Sequence, residues 1–186
     1  LLGGYGFGDD NFREGEGIRW SVSNGRNEEI IITRALLKNL SDGTSWWYFK
    51  ISVDNEEYIY EMNITNNIDL VKVRYKDKKS GKIEEFKPDQ GDSSSESEDD
   101  IQTLYAEAYA QYAVGQETIK TKAGSFKAEH LLIEDENAQF KYEYWVADRA
   151  PGHMVKYIID NLEDNEKITG ELIDIRGGYK TELNSY

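Results

Sequence analysis

Cysteine is absent from this chain of 186 residues, and proline occurs only twice. The lack of cysteine excludes disulfides, catalytic thiolates and cysteine-ligated metal centres, and it leaves the redox compartment undefined. Positive charge is also scarce, because 22 Lys and Arg face 36 Asp and Glu and give a formal net charge of -14. An acidic chain of this kind is repelled by nucleic acid and by anionic membrane surfaces, so nucleic acid is not an expected partner.

Long apolar runs and catalytic motifs are missing as well. No apolar run approaches the roughly 20 residues that cross a bilayer, so no transmembrane segment is expected. His130 and His153 lack the spacing of metal ligands, and the acidic clusters at 134–136 and 163–166 lack the calcium-loop pattern. No nucleophile elbow or phosphate-binding loop is present. These absences favour a non-enzymatic protein without a metal or a cofactor, and a carboxylate-dependent hydrolase stays open as a third alternative.

Alternating apolar and polar residues run through most of the chain. Alternation of this kind, punctuated by Gly, Asn, Asp and Pro, predicts antiparallel strands joined by turns. Strands are predicted at 18–22, 29–38, 46–53, 57–64, 70–76 and 82–86, and three further runs within 116–160 predict a meander. Trp47, Phe49 and Phe126 are expected to share one core with Leu104 and Tyr105.

One helix is predicted after an acidic, serine-rich tract at 92–100, which has no apolar residue and is expected to be a solvent-exposed excursion. Its apolar stripe consists of Ile101, Leu104, Tyr105, Ala108 and Tyr112, which follow helical spacing. The predicted fold class is α+β and mainly antiparallel β: a curved sheet or incomplete barrel with one helix packed on its concave face. We expect a flexible N-terminal arm at 1–17 and a single domain at 18–186.

Four short segments of the C-terminal third resemble a known family. They read GQET at 115–118, AGSFKA at 123–128, YWVAD at 144–148 and APGHMVK at 150–156. Together they resemble a pattern in bacterial envelope proteins of the DUF3108-like group, which is similar to the LolA and LolB lipoprotein carriers and lipoproteins. The resemblance implies a curved antiparallel sheet around a helix, a location in the periplasm or at the outer membrane, and a lipid anchor outside these 186 residues. It implies no catalytic residue.

Two kinds of binding site are candidates. The leading hypothesis is a protein that binds or carries a lipid or another apolar ligand, or serves as a structural module, with Tyr58, Tyr60 and Met62 lining a pocket beside Leu104 and Ala108. The alternative is a carbohydrate- or protein-binding surface module that uses Trp46 and Tyr48. These two aromatics lie opposite the core set on their strand and are either exposed or covered by another segment. An envelope protein is the expected macromolecular partner.

Overall fold

A computed structural model describes residues 11–25, 28–66, 69–88, 111–135 and 139–186. Within these ranges eleven strands form one antiparallel sheet in the order β6-β5-β4-β3-β2-β1-β11-β10-β9-β8-β7. The strands are β1 (Gly17–Ser23), β2 (Glu29–Asn39), β3 (Thr44–Val53), β4 (Glu56–Thr65), β5 (Leu70–Lys76), β6 (Ile83–Phe86), β7 (Ala113–Thr121), β8 (Gly124–Asp135), β9 (Phe140–Val146), β10 (Met154–Asn161) and β11 (Glu166–Arg176). Two meanders therefore meet where β1 pairs with β11, and the chain passes from one edge of the sheet to the other between β6 and β7.

The turn residues explain why the strands pair in sequence order. Asp54 and Asn55 both have positive φ, 51° and 64°, which matches the two-residue turn that joins strands with a right-handed twist. Pro151 and Gly152 lie in the turn between β9 and β10, as the sequence predicted. Each predicted strand has a counterpart in the structure, but the three runs predicted within 116–160 correspond to four strands, β7 to β10, and β11 was not predicted.

The predicted α+β class is wrong, because the described residues form an all-β sheet and contain no helix. The proposed helix lies outside the described residues except for 111–112, which form a turn. Ala113 and Gly115, which follow the predicted apolar stripe directly, belong to β7 and pair with Leu131 and His130 of β8. The helical part of the predicted fold class rested on a single amphipathic stripe, whereas the described residues form eleven strands.

Successive strand residues point to opposite sides, so the sheet has two faces. The Trp20 face carries most of the main core, including Ile18, Trp20, Ile32, Leu36, Trp47, Phe49, Leu131, Tyr144, Tyr157 and Leu172. The Tyr48 face carries a second buried cluster of Ala35, Leu37, Trp46 and Tyr48. Trp47, Phe49 and Phe126 all belong to the main core, which confirms that part of the prediction.

Gly170 shows how closely the main core packs. A Cβ atom at this position would lie 2.1 Å from Cε1 of Tyr157, so only glycine lets the tyrosine ring lie on the β11 backbone. The same ring packs on Trp20, with ring centroids 5.6 Å apart. This part of the Trp20 face is filled by protein side chains.

The sheet curls at its β7 end. The backbone N–H of Lys122, in the turn between β7 and β8, donates to Glu171 Oε1 of β11 at 3.3 Å. Because β10, β9 and β8 separate these strands in the sheet, the contact requires the hairpin to bend back across the face that carries Glu171. The curl agrees with the predicted curved sheet.

Residues just before β1 pack on the sheet. Phe12 is buried in the main core, and Asn11 Nδ2 donates to the carbonyl of Ala150 at 2.8 Å. Residues 1–10 and the acidic tract at 92–100 lie outside the described residues. The division into an arm, one domain and an excursion stays a prediction.

Candidate binding face

Strands β4, β5 and β6 extend the Trp20 face beyond the packed core. Directly opposed residues of an antiparallel pair share a face. The register therefore places Trp47, Met62, Val73 and Phe86 in one row across β3, β4, β5 and β6. Exposure increases along this row from 2% at Trp47 to 56% at Phe86, and Met62 and Val73 are intermediate.

A second row runs beside the first. Phe49 opposes Tyr60, Tyr60 opposes Tyr75, and Tyr75 opposes Glu84. The Tyr60 and Tyr75 rings lie 6.4 Å apart, and the Tyr75 hydroxyl donates to Glu84 Oε2 at 2.7 Å. That hydrogen bond raises the pKa of Tyr75, so its hydroxyl stays a neutral donor near neutral pH.

Charged groups border the same surface at Tyr58. Tyr58 opposes Ile51 of β3, and its hydroxyl donates to Glu56 Oε2 at 2.5 Å. Lys78 Nζ lies 3.6 Å from the centre of the Tyr58 ring and 2.8 Å from the same carboxylate oxygen. We call the half-exposed surface of Tyr58, Tyr60, Met62, Val73, Tyr75 and Phe86 the open face.

The open face contains three of the predicted ligand-binding residues. Tyr58, Tyr60 and Met62 are all intermediate in burial, and Tyr60 and Met62 pack against the main core. Leu104 and Ala108, the other two, lie outside the described residues. Val73 and Phe86 were missed as site residues, although their cross-strand positions follow once the strands are paired in order.

Trp46 and Tyr48 do not form an exposed platform, because each is only 3% exposed. Tyr48 is covered by residues 177–186, which we call the C-terminal strap and which have no regular secondary structure. Trp46 belongs to the same buried cluster. The Tyr179 ring lies 5.8 Å from the Tyr48 ring, and the Tyr48 hydroxyl donates to Glu182 Oε1 at 3.0 Å. Burial first, and then Glu182, raise the pKa of Tyr48 well above its usual value.

A buried carboxylate holds the strap on the sheet. Glu61 is 0% exposed and opposes both Tyr48 and Arg74. Its side chain accepts hydrogen bonds from the Thr181 hydroxyl at 2.6 Å and from the backbone N–H groups of Glu182 and Leu183 at 2.6 and 3.1 Å. These neutral donors satisfy the carboxylate, as a buried charge requires.

His130 belongs to a packed polar cluster between β7 and β10. Its ring stacks on Trp145 with centroids 4.5 Å apart, and Lys156 Nζ lies 4.8 Å from the centre of the Trp145 ring. Nε2 of His130 lies 3.1 Å from Glu143 Oε2, and Trp145 Nε1 donates to Glu117 Oε1 at 2.7 Å. In the described ranges no group of three or more His, Cys, Asp or Glu is placed to hold a metal ion. We therefore interpret this cluster as structural: its partly buried charged groups pack on the Trp145 ring and pair with one another.

A depression of about 470 Å³ lies at the turn between β3 and β4. It is lined by Glu29, Asp54, Glu56 and Glu57 together with Ser52, Val53 and Asn55. It is open and acidic, and it adjoins the open face at Glu56 but contains no residue of the two apolar rows. We therefore assign the candidate site to the open face.

Comparison with known proteins gives the fold but no family. No protein-family profile and no curated protein matches the chain. The fold is similar to that of MucB, with a TM-score of 0.50 at 10% identity over 93% of this chain and 56% of that one. MucB in the complex of Pseudomonas aeruginosa MucA and MucB gives 0.47 at 11% identity, over 92% and 55%. A Vibrio parahaemolyticus domain provisionally named an outer membrane lipoprotein-sorting protein gives 0.33 at 9% identity, over 91% and 88%.

The likeness to MucB concerns the fold alone and extends over more of the chain than the sequence motifs do. The chain spans about half the length of the MucB chain. The match covers nearly all of this chain, whereas the sequence motifs covered only the C-terminal third. The chain therefore has a fold similar to that of MucB.

Proposed function

We propose that this is a non-enzymatic protein of the bacterial cell envelope that binds an apolar ligand, such as a lipid acyl chain, on its open face. The observation that carries the proposal is the row of Trp47, Met62, Val73 and Phe86, which leads from the buried core to a large exposed aromatic. Contiguous exposed apolar surface on a soluble domain marks binding sites more often than it occurs without a role.

The packed centre of the Trp20 face limits where the ligand would lie. Trp20 and Leu172 are buried, and the Tyr157 ring occupies the space above Gly170. The centre of this face therefore has no space for an acyl chain. The intermediate burial of Tyr60 and Met62 leaves their outer surfaces available. We therefore place the ligand along β4 to β6, with the charged groups near Tyr58 at one end.

The fold supports the class of protein but does not select the ligand. The likeness to MucB and the four sequence segments favour membership of the DUF3108-like group and a location in the periplasm or at the outer membrane. A surface module that uses Trp46 and Tyr48 has no support, because both rings are buried.

Titration with a fluorescent fatty-acid analogue tests the proposal. Saturable binding is expected, and Phe86→Ser should weaken it about tenfold, because burial of a large apolar side chain contributes roughly 1.5 to 3 kcal/mol. Val114→Ser is the matched control, since Val114 is 57% exposed and lies on β7, at the opposite edge of the sheet. An equal loss of affinity in both variants, or no saturable binding by the native chain, would refute a binding site on the open face.

A further inference from the structure

The C-terminal strap is held mainly through its peptide backbone. Glu61 accepts from the N–H groups of Glu182 and Leu183, and Arg74 donates through Nη1 to the carbonyls of Leu183 and Asn184. Glu61 and Arg74 are direct cross-strand neighbours on β4 and β5. One carboxylate and one guanidinium on the Tyr48 face thus bind both kinds of backbone group of the same short segment.

Two strap side chains add selectivity to the backbone contacts. The Thr181 hydroxyl donates to Glu61 and accepts from the backbone N–H of Ser185 at 2.9 Å, which stabilises the bend of the strap. Leu183 is buried at 2% exposure. A Thr-X-Leu segment therefore matches the groove, because any residue except proline at the middle position supplies the required N–H. Glu182 at that position also accepts from the Tyr48 hydroxyl.

The sheet also has a built recess for the strap aromatic. A Cβ atom on Gly17 would lie 2.5 Å from Cε2 of Tyr179 and 2.6 Å from Cβ of Ala35. Glycine at this position lets the Tyr179 ring sit on the β1 backbone, beside Tyr48. The groove thus has an aromatic recess at one end and the Glu61 and Arg74 pair at the other.

We propose that the Tyr48 face of β1 to β5 is a peptide-binding groove for Thr-X-Leu segments, which in this molecule is occupied by its own strap. A partner protein that presents such a segment would bind by displacing residues 179–184. The strap is tethered and competes at an effective concentration of roughly millimolar, so a free peptide should bind the native chain only weakly. This site is distinct from the open face and does not depend on the proposed apolar ligand.

The test uses the full chain with a weakened strap. In a Thr181→Ala, Leu183→Ala double variant the strap competes poorly, and a labelled synthetic peptide with the sequence of 177–186 should bind saturably by fluorescence anisotropy. Its affinity should be at least about tenfold tighter than for the native chain. The control peptide carries Val in place of Thr181 and Ser in place of Leu183, and it should not bind the double variant.

Hydrogen exchange on the native chain keeps the proposal testable if the double variant folds poorly. Excess unlabelled peptide should speed exchange at the strap amides of Glu182 and Leu183, because displacement removes their bonds to Glu61. The control peptide should leave both amides protected. Equal binding of the two peptides, or no change in exchange at any peptide concentration, would overturn the proposal. Dimers formed by strap exchange, with no binding of free peptide, would also overturn a groove for partner segments.

Discussion

The two faces of β3 to β5 differ in a way that reverses the usual pattern. On the Tyr48 face, Glu61 is fully buried and Arg74 lies under the strap carbonyls. On the open face, Met62 and Val73 stay partly exposed and Phe86 is largely exposed. The strap covers part of the charged side of these strands, around Glu61, while part of the apolar side is accessible. The comparison shows that a strand's polarity does not decide which of its faces is covered when a remote segment supplies the cover.

The largest expected effect comes from the sealed side. Glu61→Ala should lower the free energy of unfolding by about 4 kcal/mol, because it leaves one buried and two partly buried donors without their acceptor, at roughly 1 to 3 kcal/mol each. Urea denaturation measures the change. Glu129→Ala, at an exposed position on β8, is the control and should stay within about 0.5 kcal/mol. A loss of that small size for Glu61→Ala would mean that the strap does not seal this face in solution.

Leu183→Ala should have the next largest effect. Deleting a buried leucine side chain costs about 3 kcal/mol and here also loosens the strap. Limited proteolysis should then cleave after Lys180 sooner than in the native chain, with the rest of the protein intact. Unchanged cleavage at Lys180 would argue against Leu183 as the anchor.

Alkaline pH should weaken the protein through its buried tyrosines. Burial raises the pKa of Tyr157 to about 12, and burial together with Glu182 raises that of Tyr48 further. The folded state therefore keeps these protons when the unfolded chain, with a tyrosine pKa of about 10, releases them. Stability is fully present below about pH 10 and falls above it, by up to about 1.4 kcal/mol per pH unit for each group.

Tyr48→Phe sharpens this prediction. It removes one of the two groups, so the slope of unfolding free energy against pH between 10 and 12 should become shallower. Urea denaturation at a series of pH values measures the slope. An identical slope in the native chain and the variant would show that the Tyr48 hydroxyl titrates freely and is not sealed by the strap.

The smallest expected effect on stability lies on the open face. Phe86→Ser should change the free energy of unfolding by no more than about 0.5 kcal/mol, because the side chain is largely exposed. Thermal unfolding checks this value. A much larger loss would mean that Phe86 is packed in solution, and the open face would then be a core.

Much of the sheet could be predicted from the sequence because strand alternation and turn chemistry are local. Asp54 and Asn55 marked a hairpin, and Leu70–Lys76 was predicted with its observed bounds. β11 was missed, although Ile168, Gly170 and Leu172 alternate, because the glycine interrupts the apolar pattern and is explained only by the Tyr157 ring.

The sequence predicted part of the open face, but it predicted none of the contacts between the strap and the Tyr48 face. Tyr58, Tyr60 and Met62 follow from alternation within one strand, whereas Val73 and Phe86 need the register of β5 and β6. Glu61 is a charged residue in a strand, and no local signal indicates that a strap more than a hundred residues away buries it. Long-range contacts of this kind depend on the closed fold.

Fluorescence quenching at the edge of the sheet tests the central claim most directly. Phe86→Trp and Val114→Trp each add a tryptophan at a position of nearly equal exposure, 56% and 57%, on the two terminal strands of the described sheet. A fatty acid with bromine on its acyl chain quenches a tryptophan that it touches. Binding on the open face predicts saturable quenching of the tryptophan added at 86 and little at 114, after subtraction of the native signal. Equal quenching at both positions, or none at either, would contradict the account.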